Sequence, residues 1–166
     1  MRDMRLRVCR PAQLIGVCLA LVTMAFVIAS IGVAGGQADS QVKLSATAGP
    51  IEKDGRQTVT IKMQINDGWH AYANPVKHED LEPNQTVVKI ASAKKLENVS
   101  IAYPEGHRQT TGKETYQVYD GKLEIKATVK RAPGDSGPLA VTVNFVTCND
   151  KKGICLPPES VKLEVK

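Results

Sequence analysis

From residue 42 to its end, the chain alternates apolar and polar side chains with a period of two over most of its length. This period is typical of β-strands that bury one face and expose the other. It predicts five main strands and three shorter ones, at 42–46, 58–65, 122–129, 139–145 and 161–165, and at 69–73, 86–91 and 96–103. After residue 39, no stretch of ten or more residues shows the apolar stripe of a helix.

Turn-forming dipeptides separate these strands, among them Asp54-Gly55, Asp67-Gly68 and Asp120-Gly121. Seven or eight short strands joined by such turns predict an all-β fold, an immunoglobulin-like antiparallel β-sandwich. The sequence contains neither an internal repeat nor a low-complexity linker. We therefore expect residues 39–166 to form one domain.

The first 38 residues differ in kind from the rest. Four arginines lie within residues 1–10, the 21 residues of 14–34 carry no charge, and small residues follow up to Ala38. This layout is typical of a secretory signal peptide, and the uncharged run is also long enough to cross a membrane as an uncleaved anchor. Because the arginines keep their end inside, both interpretations place residues 39–166 in the periplasm or on the extracytoplasmic face of the cell envelope.

The composition argues against binding of nucleic acid and of zinc. Residues 1–10 account for +3 of the formal net charge of +5, and the remaining charges are interspersed, so there is no basic stripe for nucleic acid. A zinc site needs about four ligands, and beyond the cysteines discussed next only His70, His78 and His107 could supplement it. We expect no metal and no organic cofactor.

Cys148 and Cys155 are the two cysteines outside the first segment. Cys148 lies at the end of the strand that continues from residues 139–145, and Cys155 stands just before Pro157-Pro158. Gly153 lets the turn between them bend back, so neighbouring antiparallel strands would bring the two sulfurs together. Outside the cytoplasm such a pair should be oxidised.

The spacing of the pair leaves two functions open. A disulfide that closes so small a loop stabilises a fold by only about 2.5 kcal/mol in the chain-entropy model, and a loop position suits attack by another protein's thiolate. Lys151 and Lys152 would favour a thiolate, whereas Asp150 would oppose it. The alternatives are thiol–disulfide exchange and a non-catalytic immunoglobulin-like binding or assembly module with a structural disulfide.

Three motifs occur in order along the exported part: Ile65-Asn-Asp-Gly68-Trp69-His70-Ala-Tyr72, then Tyr103-Pro104-Glu105-Gly106 with Gly112-Lys113-Glu114 and Tyr119, and finally Cys148 with Gly153-Ile154-Cys155-Leu156-Pro157-Pro158. Together they resemble the N-terminal periplasmic domain of the thiol:disulfide interchange protein DsbD family. The resemblance implies an immunoglobulin-like fold. It also implies a redox-active cysteine pair, which would take electrons from a thioredoxin-like or membrane thiol-transporter protein and pass them to envelope disulfide proteins.

The resemblance also implies roles for single residues. Cys155 matches the cysteine that attacks the partner, and Cys148 the one that resolves the mixed disulfide. His70 and Tyr72 share a face of their predicted strand and match positions beside the cysteines. His70 would accept a proton from a thiol, whereas the sequence without the resemblance favours a surface histidine near a turn.

The chain departs from the family in two places. Six residues separate Cys148 from Cys155, where the family has five. Arg108-Gln109-Thr110-Thr111 stands where the family has acidic residues and an aromatic in a lid over the pair. The sequence therefore leaves open whether this chain has a lid over the pair. We expect Trp69 in the core and the polar cluster formed by His78, Glu79, Asp80 and Glu82 in a solvated loop.

Overall fold

The computed structural model describes residues 40–166, so the predicted signal peptide or anchor in residues 1–38 lies outside the described residues. Within this part all regular structure is β, apart from one 3-10 helix at Glu79–Asn84. No helix in residues 40–166 is long and apolar enough to cross a membrane.

The described part contains twelve strands in chain order: β1 (Val42–Ala48), β2 (Arg56–Ile65), β3 (His70–Tyr72), β4 (Val87–Ser92), β5 (Asn98–Ala102), β6 (His107–Thr111), β7 (Glu114–Tyr119), β8 (Lys122–Lys130), β9 (Leu139–Phe145), β10 (Thr147–Asn149), β11 (Ile154–Cys155) and β12 (Glu159–Val165). They form three sheets, in the orders β1-β2-β8-β5, β12-β9-β4 and β11-β10-β3-β7-β6. Every pairing is antiparallel. The predicted all-β, immunoglobulin-like fold is confirmed.

The main core joins the buried faces of the first two sheets. Ile61 of β2, Ile125 of β8 and Val143 of β9 belong to it and are fully buried. Their sequence neighbours point outward, as the alternating burial along β8 shows. Each fully buried aliphatic side chain contributes about 1.5–3 kcal/mol, so the alternation that predicted the strands also holds the sandwich together.

The third sheet corrects two expectations. The sequence predicted seven or eight strands and placed Cys148 at the end of the 139–145 strand. The chain instead leaves the second sheet after Phe145, and the separate strand β10 pairs with β3 and β11. Four of the twelve strands were not predicted, β6, β7, β10 and β11; β10 and β11 have only three and two residues, too few for a visible alternation. This change of sheet brings Cys148 next to β3.

Two residues of the matched motifs hold the third sheet in place. The Tyr119 hydroxyl donates to the Pro104 carbonyl at 2.9 Å and accepts from the Asn74 amide at 3.1 Å. A Cβ atom on Gly106 would lie 2.6 Å from Cβ of Ala73, so only glycine fits where the chain enters β6. These contacts tie β6 and β7 to the segment that follows β3.

Candidate functional site

Cys148 and Cys155 are direct partners across β10 and β11, and a disulfide joins them with their Cα atoms 4.0 Å apart. Leu156 N donates to the Thr147 carbonyl at 2.8 Å in the adjacent pair. The cysteines therefore occupy a non-hydrogen-bonded pair, the position where antiparallel strands bring Cα atoms closest. The predicted oxidised pair is confirmed.

The loop between the cysteines is a compact turn. Lys152 N donates to Asn149 Oδ1 at 3.0 Å, and Gly153 N donates to the Asp150 carbonyl at 3.1 Å. Gly153 has a φ of 63°, in the left-handed region that glycine enters without steric cost. As the sequence suggested, Gly153 lets the chain return into β11.

The two sulfur-bearing residues differ in exposure. Cys148 is only 3% exposed and packs in a small apolar cluster that includes Tyr72, Tyr116 and Val118. Cys155 is exposed, and its neighbour Ile154 is 44% exposed. An external thiol therefore meets Cys155 first, while Cys148 remains against the sheet.

Tyr72 contacts the buried end of the disulfide. Its hydroxyl oxygen lies 3.5 Å from Cys148 Sγ, and since a bonded sulfur carries no proton, the hydroxyl is the group able to donate. The Tyr72 ring packs at a tilt against Tyr116, with the ring centroids 5.7 Å apart. Burial raises the pKa of the Tyr72 hydroxyl, and the nearby Tyr116 and Asp150 raise it further, so the group keeps its proton at neutral pH.

His70 lies opposite Cys148 in the register of β3 and β10. Its ring meets the Tyr72 ring edge to face at 6.1 Å, so the two side chains share a face as predicted. The residue is only 6% exposed, which shows that the alternative of a surface histidine is wrong. Burial lowers the pKa of its imidazole, and Asp150 partly offsets that effect. Its Nε2 atom is buried and has no hydrogen-bond partner within residues 40–166.

Asp150 and Gln109 complete the surroundings of His70. Asp150 Oδ2 lies 3.7 Å from His70 Nδ1, which is beyond hydrogen-bond distance, and Gln109 Nε2 donates a hydrogen bond to the same oxygen. The segment Arg108–Thr111, which the sequence left without a structure, lies in β6. His70, Gln109 and Asp150 line one open surface depression of about 450 Å³.

The structure also describes the remaining residues that the sequence analysis named. Trp69 is buried in the main core as expected, and Lys152 Nζ lies 5.9 Å from its ring centroid. Glu79, Asp80 and Glu82 lie in the 3-10 helix, which buries none of its residues, and the neighbouring His78 Nε2 is 2.6 Å from Glu114 Oε2. In the described part, no three His, Cys, Asp or Glu side chains are grouped so that they could hold a metal ion.

The family model described as "Thiol:disulfide interchange protein DsbD, N-terminal" matches residues 37–166. The N-terminal periplasmic domain of ScsB from Proteus mirabilis superposes with a TM-score of 0.54 at 15% identity, covering 74% of this chain and 44% of that one. The chain thus spans less than half of that structure, and at this identity the likeness shows the fold alone.

Two structures from Neisseria meningitidis are also similar. One is the complex between the DsbD N-terminal and the PilB N-terminal domains, with a TM-score of 0.46 at 17% identity over 74% of this chain and 80% of that one. The other is the DsbD N-terminal domain in the reduced form, with a TM-score of 0.43 at 19% identity over 70% and 80%. No curated protein matches the sequence. The family model covers the whole described part, including the cysteine pair, and the chain therefore belongs to the family of DsbD N-terminal domains of thiol:disulfide interchange proteins.

Proposed function

We propose that this domain relays electrons by thiol–disulfide exchange outside the cytoplasm, through the Cys148–Cys155 pair. The observation that carries the proposal is the asymmetry of this pair, with one sulfur-bearing residue exposed and the other buried beside Tyr72 and opposite His70. Exchange needs an accessible sulfur for the partner and a second sulfur that resolves the mixed disulfide. Membership of the DsbD N-terminal family supports the same chemistry.

Reduction of the domain begins at the exposed sulfur. A thiolate of a thioredoxin-like or membrane thiol-transporter donor attacks Cys155 Sγ, the bond to Cys148 breaks, and Cys148 leaves as a thiolate that takes up a proton. A second donor thiol then attacks the mixed disulfide and releases Cys155. The donor ends as a disulfide, and two electrons have entered the domain.

Delivery to the acceptor reverses these steps. The Cys155 thiolate attacks a disulfide of an envelope protein and expels one of its sulfurs, which takes up a proton. The Cys148 thiol then loses its proton and attacks Cys155 Sγ, which restores the Cys148–Cys155 bond and releases the second acceptor sulfur. The acceptor leaves as a dithiol.

Tyr72 and His70 serve the buried sulfur in these steps. The Tyr72 hydroxyl donates to Cys148 Sγ and stabilises the negative charge when this sulfur is the leaving group. His70 takes the proton when the Cys148 thiol has to attack. This role suits a neutral imidazole, and burial favours the neutral form of His70 by lowering its pKa.

The apolar surface next to Cys155 suits docking of a partner. Ile154 is one of the few large apolar side chains of residues 40–166 that remain exposed, and it directly precedes Cys155. A partner that buries Ile154 would bring its own sulfur close to Cys155. We place this encounter in the periplasm or at the outer face of the cytoplasmic membrane, depending on whether residues 1–38 are removed or retained as an anchor.

A donor assay separates the proposed relay from a structural disulfide. The oxidised domain is mixed with a reduced thioredoxin-like protein, and free thiols are then alkylated and counted by mass. A relay gains two alkylated cysteines at a rate that depends on donor concentration. A pair that stays oxidised while the donor reduces a control disulfide would favour a binding or assembly module.

A further inference from the structure

The carboxylate of Asp150 links two parts of the fold that are far apart in sequence. Its Oδ2 atom accepts the hydrogen bond of the Gln109 side chain from β6 and faces His70 Nδ1 from β3 at 3.7 Å. Asp150 lies in the turn between the two cysteines, and its side chain is 42% exposed. A carboxylate so exposed would rotate among several rotamers unless another group held it.

We infer that Asp150, held by Gln109, is a positioning residue for His70: it keeps the proton of the neutral imidazole on Nδ1 and leaves Nε2 as the proton acceptor. This inference rests on the proposed function, in which His70 takes the proton of Cys148.

The physical argument concerns the two ring nitrogens. A neutral imidazole has one N–H and one lone pair, and a lone pair that faced the Asp150 carboxylate would be repelled by it. Nδ1 faces that carboxylate, so the tautomer with the proton on Nδ1 has the lower energy. The lone pair then lies on Nε2, the buried atom for which the described residues provide no partner. A proton from the resolving thiol has a free acceptor there.

Gln109 suits this task because it is neutral. Its amide donates to Asp150 without cancelling the negative charge that acts on His70. A carboxylate at position 109 would repel Asp150, and a cation there would compete with His70 for it. The residue belongs to a segment that is polar throughout, and its contact with Asp150 spans 41 residues of sequence.

Other titratable groups lie in the same region. Asp67, Asp120 and Lys151 line the depression, and His107 of β6 lowers the pKa of His70. His107 and Asp120 pair with each other, Nε2 to Oδ2, at 3.4 Å. Among these charges Asp150 has the largest effect on the pKa of His70 and raises it against the effect of burial.

The test uses the full chain with the Cys148–Cys155 disulfide intact, because neither cysteine of the pair titrates in that state. Nitrogen-15 chemical shifts of the His70 ring identify the tautomer, and a pH series gives its pKa. In the wild type we expect the proton on Nδ1. Asp150→Asn should lower the pKa of His70 and weaken the preference for Nδ1, and Gln109→Leu should do both to a smaller extent.

Asp120→Asn is the matched control. It makes the same change in the same depression but removes a charge with less effect on His70, so its shift should be the smallest of the three. Backbone amide spectra show that each variant is folded. A wild-type ring protonated on Nε2, or equal shifts in Asp150→Asn and Asp120→Asn, would overturn the inference.

The same samples keep this inference separate from the proposed function. After reduction, Asp150→Asn should slow the attack of Cys148 that resolves the mixed disulfide several-fold. If the tautomer depends on Asp150 while the wild type exchanges with no thioredoxin-like donor, the coupling between Asp150 and His70 stands and the proposed relay fails.

Discussion

Cys148 and Cys155 face each other across two adjacent strands with Cα atoms 4.0 Å apart, yet Cys148 is buried and Cys155 lies at the surface. The difference arises because β10 pairs with β3 on its other side, whereas β11 is the edge of its sheet. An interior strand therefore holds Cys148, and an edge strand presents Cys155, which the proposed function makes the attacking sulfur.

Reduction of the disulfide should leave the sandwich folded. The bond closes a loop of eight residues, whose contribution to stability is only about 2.5 kcal/mol. We expect the circular dichroism spectrum at 25 °C to be unchanged after mild reduction and alkylation, with a modest loss in melting temperature. A domain that unfolds as soon as the bond opens would return the pair to a structural role.

His70→Gln should slow the attack of Cys148 on the mixed disulfide by about tenfold or more, because general-base catalysis commonly contributes a hundredfold or more. The wild-type rate should fall as the pH drops through the pKa of His70, which burial places below the ordinary value of 6.5. Stopped-flow measurement of partner release over a pH series checks both. His78→Gln is the control, since the His78 ring bonds to Glu114 and the proposed function gives it no role. The role assigned to His70 is wrong if both variants keep the wild-type profile.

Tyr72→Phe should slow reduction of the domain and leave its packing intact. A hydrogen bond to a charged group is worth about 1.5–3 kcal/mol, so its loss at the leaving Cys148 thiolate corresponds to about tenfold or more in rate. Tyr116→Phe is the matched control, because the Tyr116 hydroxyl that it removes lies 2.9 Å from Thr111 Oγ1 and bonds to no sulfur. The rate of reduction by a small thiol reports the effect. Equal rates in the two variants would exclude the hydroxyl from the reaction.

Ile154→Asp should weaken association with the partner protein several-fold and leave reduction by small thiols nearly unchanged. Binding would have to desolvate the new carboxylate in place of an apolar side chain. Ile51→Asp offers a control of similar exposure, 40% against 44%, outside the cysteine loop. Rates measured as a function of partner concentration separate binding from chemistry. An equal effect of both substitutions would show that Ile154 is not part of the docking surface.

Gly106→Ala should destabilise the domain by about 1–3 kcal/mol, the usual cost of an extra methyl group in a packed site. The new Cβ atom would lie 2.6 Å from Ala73 Cβ and 3.0 Å from the Val118 carbonyl. Gly137→Ala is the control, because its Cβ would meet only Asp135 Oδ1, at an ordinary 3.5 Å. Urea denaturation gives both free energies of unfolding. Equal stability of the two variants would contradict the packing described here.

The sandwich was predictable because its large strands bury one face against a common core. β2, β8, β9 and β12 alternate over seven to ten residues, long enough to distinguish a period of two. The shorter strands β3, β4 and β5 were also expected, with ends shifted by one or two residues. β6 and β7 were missed, because the residues of β6 are mostly exposed and polar and β7 buries the consecutive residues Val118 and Tyr119, so no alternation marks either strand.

The candidate site was predictable only in part, for a related reason. The cysteine pair and the shared face of His70 and Tyr72 follow from spacing within single segments and from the family motifs. Gln109 does not, because its contact with Asp150 joins β6 to the turn between the cysteines, 41 residues further along the chain. The burial of His70 also depends on the pairing of β3 with β10, a strand too short to be recognised in the sequence.

The central claim is that Cys155 attacks and Cys148 resolves, and trapping of mixed disulfides tests it most directly. Cys148→Ala, Cys155→Ala and the double variant are incubated with an envelope extract, separated by non-reducing electrophoresis, and the captured proteins are identified by mass spectrometry. Cys148→Ala should accumulate a mixed disulfide between Cys155 and a protein with a thioredoxin-like domain, while Cys155→Ala traps far less and the double variant none. Equal trapping by the two single variants would contradict the assigned roles, and no trapping by either would leave a structural disulfide as the better account.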